Sequence, residues 1–117
     1  MSNRIKRTTI VQRRASPLEA ELWIVVEVDF VNAGTELRGR LVGPKCAGVE
    51  TIQVAYPIRM IPRPADQPEN AVVGRVVIPE PNLWTREILF FYEGVVELWQ
   101  DEVKCDESAL TVSLKSP

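Results

Sequence analysis

The amino-acid sequence predicts an all-β protein, a sandwich of about seven antiparallel strands in a single domain spanning residues 1–117. Apolar and polar residues alternate in segment after segment, which is the period of half-buried strands. Clusters of turn residues separate these segments. No stretch of a dozen residues has the 3.6-residue apolar period of an amphipathic helix. We therefore expect almost no helix.

The first half of the chain contains four predicted strands, of which the second is the clearest. Its even-numbered residues are all apolar, whereas Glu21, Glu27 and Asp29 have the opposite parity. The turn-rich segment from Asn32 to Glu36 should end it. The four predicted strands are Thr8 to Gln12, Leu22 to Phe30, Leu37 to Val42 and Thr51 to Ile61.

The fourth predicted strand contains Pro57. Proline cannot donate a hydrogen bond to a neighbouring strand, so this strand is expected at a sheet edge or broken in its middle. Its alternate residues from Ile52 to Met60 would share one face. The proline-rich segment from Pro62 to Asn70 is predicted to be a long surface loop.

The second half of the chain supplies three more strands. They are Ala71 to Ile78, about Leu89 to Gln100, and a last strand around Ala109 to Leu114 after a turn near "QDE". Seven short strands in about a hundred residues are typical of an immunoglobulin-like sandwich, in which two sheets bury their inward faces.

Tyr92 lies near the start of the penultimate predicted strand and shares its inward parity with Gly94, Val96 and Leu98. A tyrosine there, with its hydroxyl bonded to nearby backbone, is the tyrosine corner of such sandwiches. Antibody-type domains have a cysteine two residues later, where this chain has Gly94. The inter-sheet disulfide is therefore not expected, which fits a reducing compartment.

The segment "IPEPNLWTREILFFYEGVVELW" resembles the immunoglobulin-like sandwich domain of glycoside hydrolase family 2, the group of β-galactosidases, β-glucuronidases and β-mannosidases. The strand "EAELWIVVEVDFVNAG" is similar to that domain's second strand. The residues that carry the resemblance are Pro81, Leu83, Trp84, Glu87, Tyr92, Val95, Val96, Glu97 and Leu98. The family's usual proline before the aromatic-tyrosine pair is replaced by "ILFF" here.

The resemblance implies a non-catalytic module without the catalytic barrel, because the family's catalytic glutamates belong to that barrel. In the family this sandwich joins a jelly roll to the barrel. Trp84 could line a pocket, but the favoured interpretation is structural: it closes one end of the core where the chain crosses between sheets.

The charge is balanced but unevenly placed, with a formal net charge of −2. Five basic residues fall in the first sixteen positions, and residues 1–6 are predicted to form a flexible basic arm. This segment could contact phosphate, but we expect it to be solvated or to complement the acidic last strands. Nucleic acid is not an expected partner. The basic residues are Arg4, Lys6, Arg7, Arg13 and Arg14.

Several kinds of chemistry are excluded by composition. The chain has no histidine, which removes Ser-His-Asp and Cys-His arrangements. Cys46 and Cys105 are too few for a zinc site and are predicted to be free thiols. Carboxylate pairs such as Glu27 with Asp29 alternate outward on strands, where solvated charge is the ordinary explanation. No catalytic, metal or cofactor site is predicted.

Large apolar side chains at outward positions form the candidate interaction surface: Trp23, Phe91, Val95 and Trp99. In this topology Trp23 and the other three would lie in different sheets and form two patches. Three interpretations stay open, namely cover by the chain itself, contact with a protein partner or a second copy, and carbohydrate stacking.

The sequence thus favours a non-catalytic β-sandwich module with a structural or protein-interaction role, through an unknown protein partner or self-association. The alternative is a carbohydrate-binding protein that uses exposed aromatics. Neither a signal peptide nor an apolar run long enough to span a membrane is found, so a cytoplasmic location is expected.

Overall fold

The computed structural model describes residues 2–115, which form eight β-strands and no helix. Nothing in this part of the chain is a helix long and apolar enough to cross a membrane. The all-β prediction is confirmed, with one strand more than expected. The strands are β1 (Ile5–Ala15), β2 (Glu19–Val28), β3 (Thr35–Lys45), β4 (Val54–Pro57), β5 (Arg59–Ile61), β6 (Ala71–Pro79), β7 (Phe91–Gln100) and β8 (Val103–Val112).

The strands form two four-stranded sheets that pack face to face. One sheet has the order β1-β2-β6-β5 and the other the order β4-β3-β7-β8. Every pairing is antiparallel. The chain crosses from one sheet to the other between β2 and β3, between β4 and β5, and between β6 and β7. Such crossings are expected for the immunoglobulin-like sandwich.

The core lies between the inward faces of the sheets. Strand β2 shows why: its even-numbered residues from Ala20 to Val28 are all buried, as the alternation predicts. Phe30 lies beyond the end of this strand and is only partly buried. The largest buried core side chains are Leu22, Ile24, Val26 and Val28 of β2, Leu41 of β3, Val76 and Ile78 of β6, Tyr92, Val96 and Leu98 of β7, and Leu114.

The extra strand arises at Pro57, where the predicted strand Thr51 to Ile61 is divided between the two sheets. Strand β4 pairs with β3, and β5 pairs with β6. Between them the backbone N–H of Ile58 donates to the carbonyl of Gly39 at 2.9 Å, and the Ile58 side chain is buried. The prediction of a broken edge strand is confirmed. The prediction that the alternate residues from Ile52 to Met60 share one face is wrong, because the change of sheet leaves Ile52 and Met60 exposed.

The last strand is longer than predicted and begins at Val103 instead of Ala109. A tight turn precedes it, in which Asp101 and Glu102 both have positive φ angles of 51° and 66°. Two left-handed residues in a row are typical of two-residue hairpin loops. The alternation is weak in the first half of β8, where no side chain from Val103 to Ser108 is buried and the pairing with β7 shifts register.

The first residues of the chain do not form a free arm, in contrast to the prediction for residues 1–6. Ile5 and Lys6 belong to β1, and Asn3 is 1% exposed. The amide of Asn3 donates to the carbonyl of Phe30 at 2.8 Å and to the side chain of Gln100 at 3.2 Å. Its oxygen accepts two backbone N–H groups, from residues 29 and 30. This buried amide therefore anchors the segment; Met1 lies outside the described residues.

Side chains join the two neighbouring edge strands β1 and β8, which belong to different sheets. The Asp106 carboxylate accepts the backbone N–H of Ile5 at 2.9 Å. Further along, the Gln12 amide donates to the carbonyl of Lys115 at 2.6 Å and accepts its N–H at 3.1 Å. These contacts, which we call the β1–β8 seam, close one lateral side of the sandwich.

Candidate interaction surfaces

The structure places the predicted surface residues on the outer faces of both sheets. Trp23 lies on β2 and the other three, Phe91, Val95 and Trp99, lie on β7. They therefore form two separate patches. All four side chains are partly covered instead of fully exposed.

Trp23 belongs to a small apolar cluster on the outside of its sheet. Val25 and Val73 are buried there, and the guanidinium of Arg13 lies 4.2 Å from the centre of the Trp23 ring. Such cation–π contacts contribute about 0.5–1 kcal/mol at exposed sites. The basic first strand thus covers this tryptophan.

The nitrogen of the Trp23 indole is buried and makes no regular hydrogen bond to any of residues 2–115. Beside it, Arg75 donates to the Glu21 carboxylate at 2.5 Å, and this bond is the main cause of the lowered pKa of Glu21. The indole adds a smaller contribution in the same direction. The Trp23 indole therefore lies near the Glu21 carboxylate without the geometry of a hydrogen bond.

Trp99 is covered in a similar way on the opposite sheet. The guanidinium of Arg38 lies 3.9 Å from its ring centre and also bonds to Glu36 and Glu102. The Trp99 indole N–H donates to Glu97 at 3.1 Å, which is the largest cause of the lowered pKa of that carboxyl. A sugar ring could stack on Trp99 only after the Arg38 guanidinium has been displaced.

Phe91 and Val95 are both partly buried on the outer face of their sheet. A shallow depression of about 300 Å³ is lined by Val95 and Ala109 and bordered by the ion pair between Lys45 and Glu93, whose charged atoms are 2.6 Å apart. Arg40 and Thr111 also line this depression, which is shallow and does not enclose a ligand as a binding pocket does.

The arginines over Trp23 and Trp99 were not identified from the sequence. The strand register explains their positions. Val11 is paired with Trp23, so Arg13 is a diagonal neighbour of that tryptophan. Glu36 is paired with Trp99, so Arg38 is a diagonal neighbour of the second tryptophan. A bulge in β1 lies between residues 12 and 14 and shifts this pairing. Alternation alone cannot show which strands are adjacent.

The motif residues around Tyr92 close one end of the core. The Tyr92 hydroxyl accepts the backbone N–H of Asn82 at 3.0 Å, which is the geometry of a tyrosine corner, and burial raises its pKa. Pro81 is buried and Leu83 packs against the core. Trp84 is only half-buried, with its backbone N–H bonded to the carbonyl of residue 114 at 2.7 Å. Leu83 therefore occupies the place expected for Trp84.

The acidic residues on the strands are held by cations. Glu27 pairs with Arg7 at 2.6 Å, and Glu97 with Lys104 at 3.3 Å. In four surface clefts formed by the described residues, the lining includes at most one carboxylate each. The most enclosed of these, about 450 Å³ beside β5, is lined by Arg59 and Arg75 together with apolar residues. Within residues 2–115 no group of three or more metal-ligating side chains occurs.

No protein-family model matches the sequence, and no curated protein matches it either. Solved structures do match. A β-glucuronidase from Bifidobacterium dentium aligns over 97% of this chain and 18% of its own, with 17% identity and a TM-score of 0.63. A glycosyl hydrolase family 2 member from Bacteroides cellulosilyticus aligns over 96% and 14%, with 16% identity and a TM-score of 0.58.

A putative β-galactosidase from Bacteroides fragilis aligns over 96% of this chain and 17% of its own, with 16% identity and a TM-score of 0.57. This chain thus spans less than a fifth of the solved chains it matches. At the level of fold, these structures confirm the resemblance drawn from the segment around Tyr92. The chain has the fold of a β-sandwich segment of enzymes such as these family 2 glycosyl hydrolases.

Proposed function

We propose that this chain is a non-catalytic accessory β-sandwich of the family 2 glycosyl hydrolase type, with a structural or protein-interaction role. The observation that carries the proposal is the match over nearly the whole of this chain to only 14–18% of solved family 2 enzymes. The resemblance assigns the family's catalytic glutamates to another part of those enzymes.

The carboxylates support the same conclusion. Glycoside hydrolysis needs two carboxyl groups about 5–9.5 Å apart, one of them with a raised pKa so that it can act as an acid. The pKa values of Glu21 and Glu97 are instead lowered by hydrogen bonds from Arg75 and Trp99. Both groups are ion-pair partners and are poorly suited to protonating a leaving group.

The test measures turnover of nitrophenyl β-glucuronide, β-galactoside and β-mannoside by the full chain. We expect hydrolysis no faster than in buffer. Glu97→Gln and Glu21→Gln serve as matched variants. Hydrolysis by the parent that disappears in either variant would overturn the proposal.

A calorimetric titration with the corresponding monosaccharides and with polysaccharides tests the carbohydrate-binding alternative. We expect no heat of binding, because Arg13 and Arg38 cover the two outward tryptophans. Binding by the parent that is lost in Trp23→Ala or Trp99→Ala would favour carbohydrate recognition over a protein-interaction role.

A further inference from the structure

Exposed apolar side chains are concentrated at one end of the sandwich. Of the nine large hydrophobic side chains that are exposed among the described residues, six lie in or beside the connections 16–18, 46–53 and 80–90. Ile52 is 91% exposed, Leu18 is 80% exposed, and the other four are between 46% and 61% exposed. We call this surface the apolar end; its six side chains are Leu18, Val49, Ile52, Val54, Ile88 and Leu89.

The strand register brings these connections together at the same end. Glu80, the first residue of the third connection, donates its backbone N–H to the carbonyl of Leu18 at 2.9 Å. The same connection ends at Phe91, which is paired with Lys45, the last residue before the second connection. The connection 80–90 therefore bridges the two sheets between Leu18 and the segment around Ile52. The molecule measures only 28 × 19 Å across its two shorter axes, so the six side chains share a small area.

The exposed apolar area approaches what one half of a standard interface contains. A fully exposed Val, Leu or Ile side chain presents on the order of 100 Å² of apolar surface, so the six exposed fractions together present roughly 400 Å². Standard interfaces bury about 800 Å² on each partner, somewhat more than half of it apolar. A patch of this size is comparable to the largest apolar patch of a typical monomer, which is often functional.

The rim of the apolar end has one cation, Arg86, that could pair with a carboxylate of a second copy. Arg86 and Glu87 are exposed and form no ion pair with any residue of the part described, and the same holds for Glu50 and Glu80. A two-fold axis would bring the cationic and anionic positions of one copy opposite those of the other. Two such Arg86–carboxylate pairs leave four of the six carboxylates in a dimer without a partner, so the apolar side chains have to supply most of the binding energy.

We propose that the apolar end binds the apolar end of a second copy, which makes the chain a two-fold symmetric dimer. This names the partner for the interaction role proposed above and rests on that role. Its test measures self-association alone, so its failure is distinguishable from turnover or sugar binding, which would overturn the proposed function itself.

The experiment is sedimentation velocity on the full chain from about 1 μM to about 1 mM, the range of dissociation constants of weak and moderate complexes. We expect the mass to rise with concentration from 13.2 kDa towards twice that value. Ile52→Glu and Leu18→Glu place a charge in the apolar contact and should each raise the dissociation constant at least about tenfold.

Val103→Glu is the matched control, because Val103 is 65% exposed at the opposite end of the sandwich, beside the turn at Asp101. It should change the dissociation constant less than about twofold. Circular dichroism and the melting temperature show whether each variant is folded. A parent that stays monomeric up to about 1 mM would overturn the proposal. So would a dimer that tolerates both apolar-end variants or that dissociates equally with Val103→Glu.

In a concentration series of the parent, we also expect amide chemical shifts to change in residues 16–18, 46–54 and 80–90. This measurement needs no variant and remains decisive if the substitutions prevent folding. Shifts confined to the outer sheet faces around Trp23 or Trp99 would contradict the proposed surface.

Discussion

At the scale of single residues, the Tyr92 hydroxyl links the start of β7 to the connection that precedes it, through its bond to the Asn82 N–H at 3.0 Å. Tyr92→Phe removes this acceptor and keeps the ring in the core. Because Asn82 is exposed, water can replace the lost partner, so we expect a loss of about 1 kcal/mol in the free energy of unfolding.

Urea denaturation of Tyr92→Phe and Tyr56→Phe measures this difference. Tyr56 packs edge-on against Tyr92, with ring centres 6.2 Å apart, and its hydroxyl forms no hydrogen bond with the described residues. The control should therefore change stability by less than about 0.5 kcal/mol. Equal losses in the two variants would contradict the role of the Tyr92 hydroxyl.

The sequence predicts which residues point inward better than it predicts what covers the outward ones. The parity of Tyr92, Val96 and Leu98 follows from alternation alone, and all three are buried. The cover over Trp23 and Trp99 depends on diagonal neighbours in other strands. Since strand order and bulges are tertiary properties, these contacts were not accessible from one sequence.

At the scale of strands, the β1–β8 seam depends on the charge of Asp106. Its backbone hydrogen bond from Ile5 lowers the pKa of this carboxyl below its ordinary value. A lowered pKa in the folded state means that the stabilising contribution is complete above about pH 5 and is lost as the pH falls through the folded-state pKa, below about 3.9.

Asp106→Asn should remove this pH dependence, because the amide oxygen can still accept the Ile5 N–H but does not titrate. We expect the difference in unfolding free energy between parent and variant to shrink between about pH 6 and pH 2.5. Urea denaturation at a series of pH values measures it. Asp66→Asn, in the long loop 62–70, is the control. A difference that stays constant with pH would contradict the seam's dependence on the Asp106 charge.

Most strands were predicted within a few residues, and the failures have physical causes. Pro57 correctly indicated an edge or a break, but only the tertiary structure shows that the chain changes sheets at Ile58. The arm expected at residues 1–6 is anchored by Asn3. From the sequence alone, a polar side chain at this position is expected to be exposed to solvent. Its hydrogen-bond partners, including Gln100, lie far away in the chain.

At the scale of the whole molecule, stability should not depend on a disulfide. Cys105 lies beside Leu98, whose carbonyl accepts its S–H at 3.3 Å, whereas Cys46 follows Lys45, the partner of Phe91. Seven residues of strand separate these two positions of β7, roughly 23 Å at 3.3 Å per residue. A disulfide requires Cα atoms within about 7 Å.

We therefore expect the same melting temperature with and without a reductant, measured by scanning calorimetry. Burial also raises the pKa of the Cys105 thiol, which lowers its reactivity towards oxidants. Mass spectrometry without reductant should find both thiols free within a single chain. A melting temperature that falls on reduction would show that the two cysteines can meet.

The β1–β8 seam also has a mechanical consequence. Asn3 lies beside Phe30 and Gln100, at the end of the sandwich where β1 begins, and Lys115 contacts Gln12 towards the other end of β1. A pull between these residues would run nearly parallel to the terminal strands, whose ladder hydrogen bonds are perpendicular to the strands. The load would therefore shear many of these bonds at once instead of opening them in turn. A sandwich loaded in this direction would behave as a stiff spacer between whatever is attached to its two ends.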